Sequence, residues 1–272
     1  MVKKQDQPVS GQVYAPPVYP MKTKTRITVL FVVMVGLLIY SSQRTEVTFS
    51  SLATGIPNMV QVFVKFFPPD FDIMDAVIKR LAETIQMAVI ATTFAALLCV
   101  PLSLLAARNI MPNRWVYFTV RTFLNILRTI PDIVLAVIFV GLFGIGALSG
   151  ILALIIFSLG ILAKLISETI EAVDMKPIEA MRASGANSLQ TICFGLVPQV
   201  LPQFFSFVLY VLEINIRASV VLGLVGAGGI GLLLDQQIKF YNYPQAMAII
   251  IVIFAAVVII EFISTKIREA IV

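Results

Sequence analysis

Long apolar runs separated by polar segments dominate the chain and set its predicted architecture. A membrane-spanning helix needs about 20 mostly apolar residues. Runs near that length occur at residues 27–40, 85–107, 130–148, 149–166, 204–225 and 246–263. The first run is short, but no small-residue cleavage site follows it, so we interpret it as a retained span and not as a signal peptide. The pattern predicts an all-α polytopic membrane protein with six transmembrane helices.

The segment after the first span has a weaker pattern. Apolar residues recur at roughly helical spacing up to Pro68-Pro69. Two interpretations stay open: a helix lying along the membrane surface, or a plain loop with aromatic anchors. We divide the chain into an N-terminal tail (1–26), the first span with its following loop (27–80), and a core of five spans (81–272).

One long polar interruption, residues 174–202, separates two spans in the second half of the chain; we call it the hairpin. Pro177 suits a helix start, and Gly185 suits a helix stop. Asn187 is placed to cap a second helix, with Gln190 three residues later as its capping-box partner. The pattern predicts helix, glycine break and helix, closed by Pro198 and Pro202 before the next span begins.

Composition agrees with a membrane protein and excludes other classes. The chain has 272 residues, of which 59% are hydrophobic and 13% charged, whereas a soluble domain carries about 25% charged residues. The net charge of +5 is spread along the loops and is not clustered, so we exclude nucleic-acid binding. With no histidine, and with Cys99 and Cys193 far apart, we predict neither a metal site nor a disulfide.

The distribution of Lys and Arg predicts the orientation. If the N-terminus is cytoplasmic, the segments on that side carry fourteen basic residues and those on the other side carry five. Basic residues concentrate on the cytoplasmic side of membrane proteins. Both termini and the hairpin are therefore predicted to be cytoplasmic.

The hairpin also carries a recognisable spacing. Glu179-Ala180-Met181, Gly185 and Pro198 match the "EAA" loop of ABC-importer permeases, with Met181 in place of an alanine and Gly195 in place of an apolar residue. Residues 66–71, 184–187 and 225–231 extend the match, and from about Phe66 to the C-terminus the chain resembles the phosphonate-type permease family.

This resemblance implies the type I ABC importer permease fold in a bacterial inner membrane. It implies a homodimer with two ATP-binding cassette subunits, which bind ATP and Mg²⁺, and an extracytoplasmic binding protein; we expect no cofactor in this chain. The cargo implied is a small phosphorus oxyanion (phosphonate, phosphite, hypophosphite or phosphate), moved by ATP-driven alternating access. The coupling residues implied are Glu179, Ala180, Gly185, Ala186 and Asn187. The alternative for the hairpin is an ordinary capped loop.

Charged residues inside the fifth span are the second candidate site. Glu213 and Arg217 are four residues apart and so share one helix face. Charges inside a membrane usually face a cavity or each other. Either the two form a structural salt bridge, or Arg217 faces a translocation pathway with Ser219 nearby and attracts an anionic substrate.

Two further clusters are candidates for gating or packing. Glycines crowd the end of the fifth span, where we expect a bendable gate segment or simple close packing; they include Gly226, Gly228, Gly229 and Gly231. Arg128 and Asp132 flank Pro131 at the start of the third span, where the resembled family has a similar polar-proline-acid arrangement. The simpler interpretation is an interfacial ion pair between Arg128 and Asp132.

Motifs for self-sufficient chemistry are missing from the sequence. It has no GxxxxGK[ST] run for a nucleotide and, without histidine, no Ser/His/Asp set. A secondary transporter or channel for a small anion is the rival hypothesis. It would need coupling carboxylates or inverted repeats, whereas Glu213 alone lies deep in a span and we find no convincing repeat. We therefore expect a membrane subunit that is not itself an enzyme.

Overall fold

The computed structural model describes residues 21–45 and 49–271, and their regular secondary structure is entirely helical. The helices, in chain order, are α1 (Met21–Arg44), α2 (Phe49–Val64), α3 (Met74–Leu105), α4 (Arg114–Thr129), α5 (Asp132–Phe143), α6 (Ala147–Ala172), α7 (Lys176–Ala183), α8 (Ser188–Gln190), α9 (Val197–Gly223), α10 (Gly229–Lys239) and α11 (Tyr243–Ile271). A π-helical segment, Thr191–Leu196, joins α8 to α9. Most of the predicted tail, residues 1–20, lies outside the described residues.

Internal contacts divide the chain into two units, residues 1–63 and 64–272. In the first unit, α1 has 24 residues and is therefore about 36 Å long, enough to cross a bilayer. It contains the predicted first span. α2 is a helix that ends before Pro68-Pro69, so the plain-loop interpretation of this segment is wrong. Its position on the membrane surface stays a prediction.

In the second unit, α3, α6 and α11 contain the predicted second, fourth and sixth spans. α3 and α6 form its most extensive helix pair. Small residues on their faces, such as Ala95, Cys99 and Ala163, are fully buried. Small side chains let membrane helices approach closely, which explains why these two helices form the centre of the core.

The third predicted span is not one regular helix. The predicted run 130–148 holds α5 and the first residues of α6, whereas α4 precedes it; α4 and α5 meet at an angle of 86°. Ile130 stands before Pro131 and has an extended backbone (ψ 118°), because proline disfavours helical geometry in the residue that precedes it. α5 has 12 residues and is about 18 Å long, too short to cross the bilayer alone. The described residues thus hold five helices of spanning length, or six spans when the bent pair counts as one.

The fifth span is longer than predicted. A helix runs without interruption from Ser188 to Gly223 through α8, the π segment and α9. The prediction that Pro198 and Pro202 close the hairpin is therefore wrong. Pro198 is the second residue of α9 and follows the π segment directly, and that segment shifts the backbone hydrogen-bond register just before it.

Candidate functional site: a helical hairpin and an intramembrane charged cluster

The first half of the hairpin is a short, firmly terminated helix. Pro177 lies in the first turn of α7, and Ile178 is fully buried. Gly185 adopts φ +86°, a left-handed conformation that glycine takes without strain. Its N–H donates to the carbonyl of Arg182 (3.0 Å), and the Ala186 N–H donates to the carbonyl of Met181 (3.1 Å). These two bonds form a Schellman termination, so the predicted glycine stop is confirmed.

The second half begins with the predicted capping box. The Asn187 side chain accepts from the Gln190 N–H (2.9 Å), and the Gln190 side chain accepts from the Asn187 N–H (3.0 Å). Both ends of the turn are thus fixed by local hydrogen bonds and do not depend on a partner.

The outer surface of the hairpin is open to a partner. Glu179, Ala180, Gly185 and Asn187 are exposed, and Ala186 is half-buried. Large apolar side chains accompany them, with Leu189 70% and Phe194 73% exposed. Exposed apolar residues grouped on a polar helical turn are typical of a protein-docking surface. The hairpin therefore has the geometry for docking, although only the sequence resemblance gives roles to its individual residues.

Two departures from the EAA pattern pack against each other. Gly195 is buried in the π segment, and a Cβ placed on it would lie 3.1 Å from Met181 Sδ and 3.4 Å from Ile178 Cγ1. The longer Met181 side chain thus occupies the space that a side chain at position 195 would fill. The two unusual residues form one complementary contact between α7 and the helix that leads into the fifth span.

Polar contacts tie the base of the hairpin to the neighbouring helices. Gln199 donates to the Asp174 carbonyl (3.3 Å). Asn109, in the turn between α3 and α4, donates to the Ile170 carbonyl (2.6 Å). Arg121 of α4 forms an ion pair with Glu171 at the end of α6 (2.8 Å). Sequence reasoning missed these residues, because their partners lie 25 to 61 positions away.

The charged residues of the fifth span form a three-membered cluster. Glu213 is buried, with 7% of its side chain exposed, and binds two arginines. One is Arg217, and the other is Arg268 at the end of α11 (3.2 Å). The predicted Glu213–Arg217 pair is present, but the second arginine leaves the cluster with a net positive charge. Arg217 keeps 48% of its side chain exposed, so it offers donors to an anion while Glu213 holds it in place.

A buried polar triad lies beside this cluster. The Asn215 side-chain amide donates to Thr92 Oγ1 (2.9 Å) and Ser158 Oγ (2.7 Å), and Ser158 Oγ is also within 2.9 Å of Asn215 Oδ1. All three residues are buried and come from α9, α3 and α6. Each is a polar residue within an apolar run, which is the signal by which the sequence could have revealed them.

Other predicted site residues are not brought to the exposed side of this cluster. Ser219 is fully buried and donates to the Ile216 carbonyl of its own helix (2.8 Å). Arg128 packs against Gly160 of α6, and Asp132 accepts from the Ile133 N–H (2.9 Å) at the start of α5. Among the described residues no salt bridge joins Arg128 to Asp132, so the expected ion pair does not form.

The glycine segment is tightly packed. Gly226, Gly228, Gly229 and Gly231 are all buried. A Cβ on Gly231 would lie 1.9 Å from the Val220 carbonyl oxygen, and one on Gly228 would lie 2.7 Å from the Ala147 backbone nitrogen. The Ile230 N–H donates to Thr84 Oγ1 (2.8 Å), which joins the segment to α3. Close packing is therefore observed, and a gating role stays a prediction.

The segment 66–71, which carries part of the family resemblance, hydrogen-bonds to and packs against the start of α11. The Asp70 N–H donates to the Pro244 carbonyl (3.1 Å), and its carboxylate accepts from Gln245 (3.2 Å). Phe66 packs on Tyr243 with ring centroids 5.1 Å apart. These contacts make the segment 66–71 a structural support for α11.

Known proteins share this sequence and this arrangement of helices. The chain is 38% identical over 237 residues to the putative phosphite transport system permease protein HtxC of Stutzerimonas stutzeri, covering 87% of this chain and 84% of that one. It is 36% identical over 241 residues to the phosphate-import permease protein PhnE of Mycolicibacterium smegmatis, covering 88% of this chain and 45% of the relative.

A solved structure matches the architecture. An inward-facing conformation of the MetNI methionine ABC transporter contains a chain with a TM-score of 0.67 and 26% identity. The match covers 75% of this chain and 99% of that chain. The all-α polytopic fold predicted from the sequence is thus confirmed as that of an ABC importer permease. The family model described as "binding-protein-dependent transport system inner membrane component" matches residues 99–271, and this chain belongs to that family.

Proposed function

We propose that this chain is the permease subunit of a bacterial ABC importer for a small phosphorus oxyanion. One observation carries the proposal. The hairpin is locally capped and exposed, and it sits at the start of an uninterrupted helix that reaches the net-positive cluster of Glu213, Arg217 and Arg268. Relatives named for phosphite and phosphate transport support the class of cargo. The choice among phosphonate, phosphite, hypophosphite and phosphate would rest with the binding protein, which selects the cargo before the permease meets it.

A separate ATPase would dock on the hairpin and displace it during ATP hydrolysis. Two copies of the chain would each dock one ATP-binding cassette subunit, with ATP and Mg²⁺ bound by that subunit, and an extracytoplasmic protein would deliver the cargo. Glu179, Ala180 and Gly185 would contact the ATPase. Because the helix Ser188–Gly223 is continuous, a displacement at the hairpin would travel about 37 Å along its axis to Glu213. Rigid-body tilting of such helices is a common basis of alternating access.

The charged cluster would attract the cargo. The guanidinium of Arg217 presents paired donors that match oxyanion geometry. Glu213 is shared between Arg217 and Arg268, so it neutralises one positive charge of two. An anion that reaches Arg217 would therefore meet a net positive field.

The membrane orientation is part of the proposal: an inner-membrane protein with both termini and the hairpin in the cytoplasm. Cys193 lies exposed on the hairpin, whereas Cys99 is buried. A membrane-impermeant maleimide should label Cys193 only after the membrane is opened. Labelling of intact cells at Cys193 would place the hairpin outside and contradict the coupling role.

Reconstitution tests the function directly. The chain should transport the oxyanion in proteoliposomes only with its ATPase, ATP and a binding protein. A hydrolysis-deficient ATPase serves as the matched control. Uptake by this chain alone would instead support a secondary transporter or channel.

A further inference from the structure

A polar cavity of about 510 Å³ lies at the hairpin end of the core, between the end of α3 and the start of α4. Its lining includes Arg108, Arg114, Tyr117 and Phe118. The cavity is separate from the exposed hairpin surface and from the Glu213 cluster, and no step proposed above uses it.

Two arginines at this cavity have no ion-pair partner in the part of the chain that the structure describes. Among the described residues neither Arg108 nor Arg114 forms a side-chain ion pair. The nearby carboxylate is Glu171, which accepts from Arg121 (2.8 Å) and from the backbone N–H of Arg108 (3.0 Å). Its negative charge is committed to Arg121, so the cavity keeps two uncompensated positive charges.

Exposed aromatic residues beside the cavity indicate that it lies at a membrane interface. Trp115 is 80% exposed and Phe118 is 63% exposed. Tryptophan is enriched where the hydrocarbon of a bilayer meets the head groups. The first turn of a helix favours acidic residues, yet Arg114 occupies that position in α4. Helix stability therefore does not account for an arginine there.

We propose that this cavity binds the phosphodiester head group of an anionic phospholipid. Arg108 and Arg114 would hold the phosphate through charge-assisted hydrogen bonds, while Trp115 and Phe118 would lie against the upper acyl chains. Basic pockets at the edge of a membrane helix bundle are a recurrent means of holding acidic lipids. The lipid would fix α4 against α6 beside the Arg121–Glu171 pair, next to the base of the hairpin.

The chain contains its own reporter, because Trp115 is its single tryptophan. The full chain is placed in nanodiscs that contain brominated phosphatidylglycerol or brominated phosphatidylcholine, and quenching of Trp115 is compared. We expect brominated phosphatidylglycerol to quench more strongly than brominated phosphatidylcholine. This preference should fall about fivefold in R108Q, and about fivefold in the separate variant R114Q. R114K, which keeps the charge, should retain most of the preference and shows that the local fold tolerates substitution.

Lys266 provides the matched control, since it is an exposed basic residue near the end of α11 and lies outside the cavity. K266Q should leave the preference unchanged. Equal quenching by both lipids in the native chain would overturn the proposal, as would equal losses in K266Q and R108Q. A preference abolished by excess inorganic phosphate would assign the cavity to a soluble anion and also overturn it. None of these results depends on transport activity.

Discussion

The buried triad of Thr92, Ser158 and Asn215 leads to a quantitative prediction about helix packing. Asn215 links α9 to α3 and α6 through its side-chain amide. Replacing Asn215 with alanine removes both links. The consequences for the two hydroxyls differ, because Thr92 keeps a bond to the Ala88 carbonyl (2.7 Å). Ser158 keeps no other hydrogen bond among the described residues.

The magnitude follows from these bonds. Interhelical hydrogen bonds in membranes contribute about 0.6 kcal/mol on average and up to about 1.7 kcal/mol. Asn215→Ala breaks the link to Thr92 and the reciprocal link to Ser158, so we expect a loss of about 1–3 kcal/mol in the free energy of unfolding. Ser158→Ala alone should cost about 1 kcal/mol. Because the two substitutions share one interaction, the double variant should cost less than the sum of the singles.

The assay is SDS-induced unfolding of the purified chain in mild detergent, followed by circular dichroism. Thr93→Val is the control, because Thr93 is exposed and donates only to the Val89 carbonyl of its own helix (2.8 Å). If Asn215→Ala costs no more than this control, the triad does not stabilise the core. Strictly additive losses for Ser158→Ala and Asn215→Ala would likewise refute a shared interaction.

Three further predictions concern the proposed function. Gly185→Asp should abolish coupling of ATP hydrolysis to uptake while membrane insertion is retained. The φ of +86° disfavours an aspartate at this position, and its charge would lie on the open docking surface. Undiminished uptake would contradict the docking role. Arg217→Ala should reduce uptake by more than it reduces the yield of assembled complex, and equal losses in both would indicate a purely structural salt bridge. Gly195→Leu should destabilise the chain by about 1–3 kcal/mol, measured by thermal unfolding. Met181→Ala added to it should recover part of that loss, and no recovery would show that the two side chains do not share the space.

Local chemistry made much of the hairpin predictable. The sequence between Pro177 and Gln190 specifies its own helix start, stop and capping box, and each depends on residues within a few positions. The apolar runs similarly located α3, α6 and α11, because the bilayer imposes a minimum length of apolar helix.

Tertiary and backbone context set the limits of sequence reasoning. The sequence does not predict the 86° bend at Pro131, because the apolar run begins only at Ile130 and α4 before it is rich in arginine. Pro198 predicts a boundary, whereas the π segment lets the helix continue past it. The contact between Arg268 and Glu213 is equally absent from the local sequence, because the two residues lie 55 positions apart.

The interlocked glycine segment has a practical consequence for spectroscopy. Spin labels or fluorophores attached at Gly228 or Gly231 would collide with backbone atoms of neighbouring helices. Probes at these positions would therefore report distorted helix packing and not the motion of the native protein. Ile145 contacts Gly226 yet is 73% exposed, and Leu148 is 57% exposed. These two positions are where pulsed electron resonance or energy-transfer distances would follow this end of the helix bundle through a transport cycle.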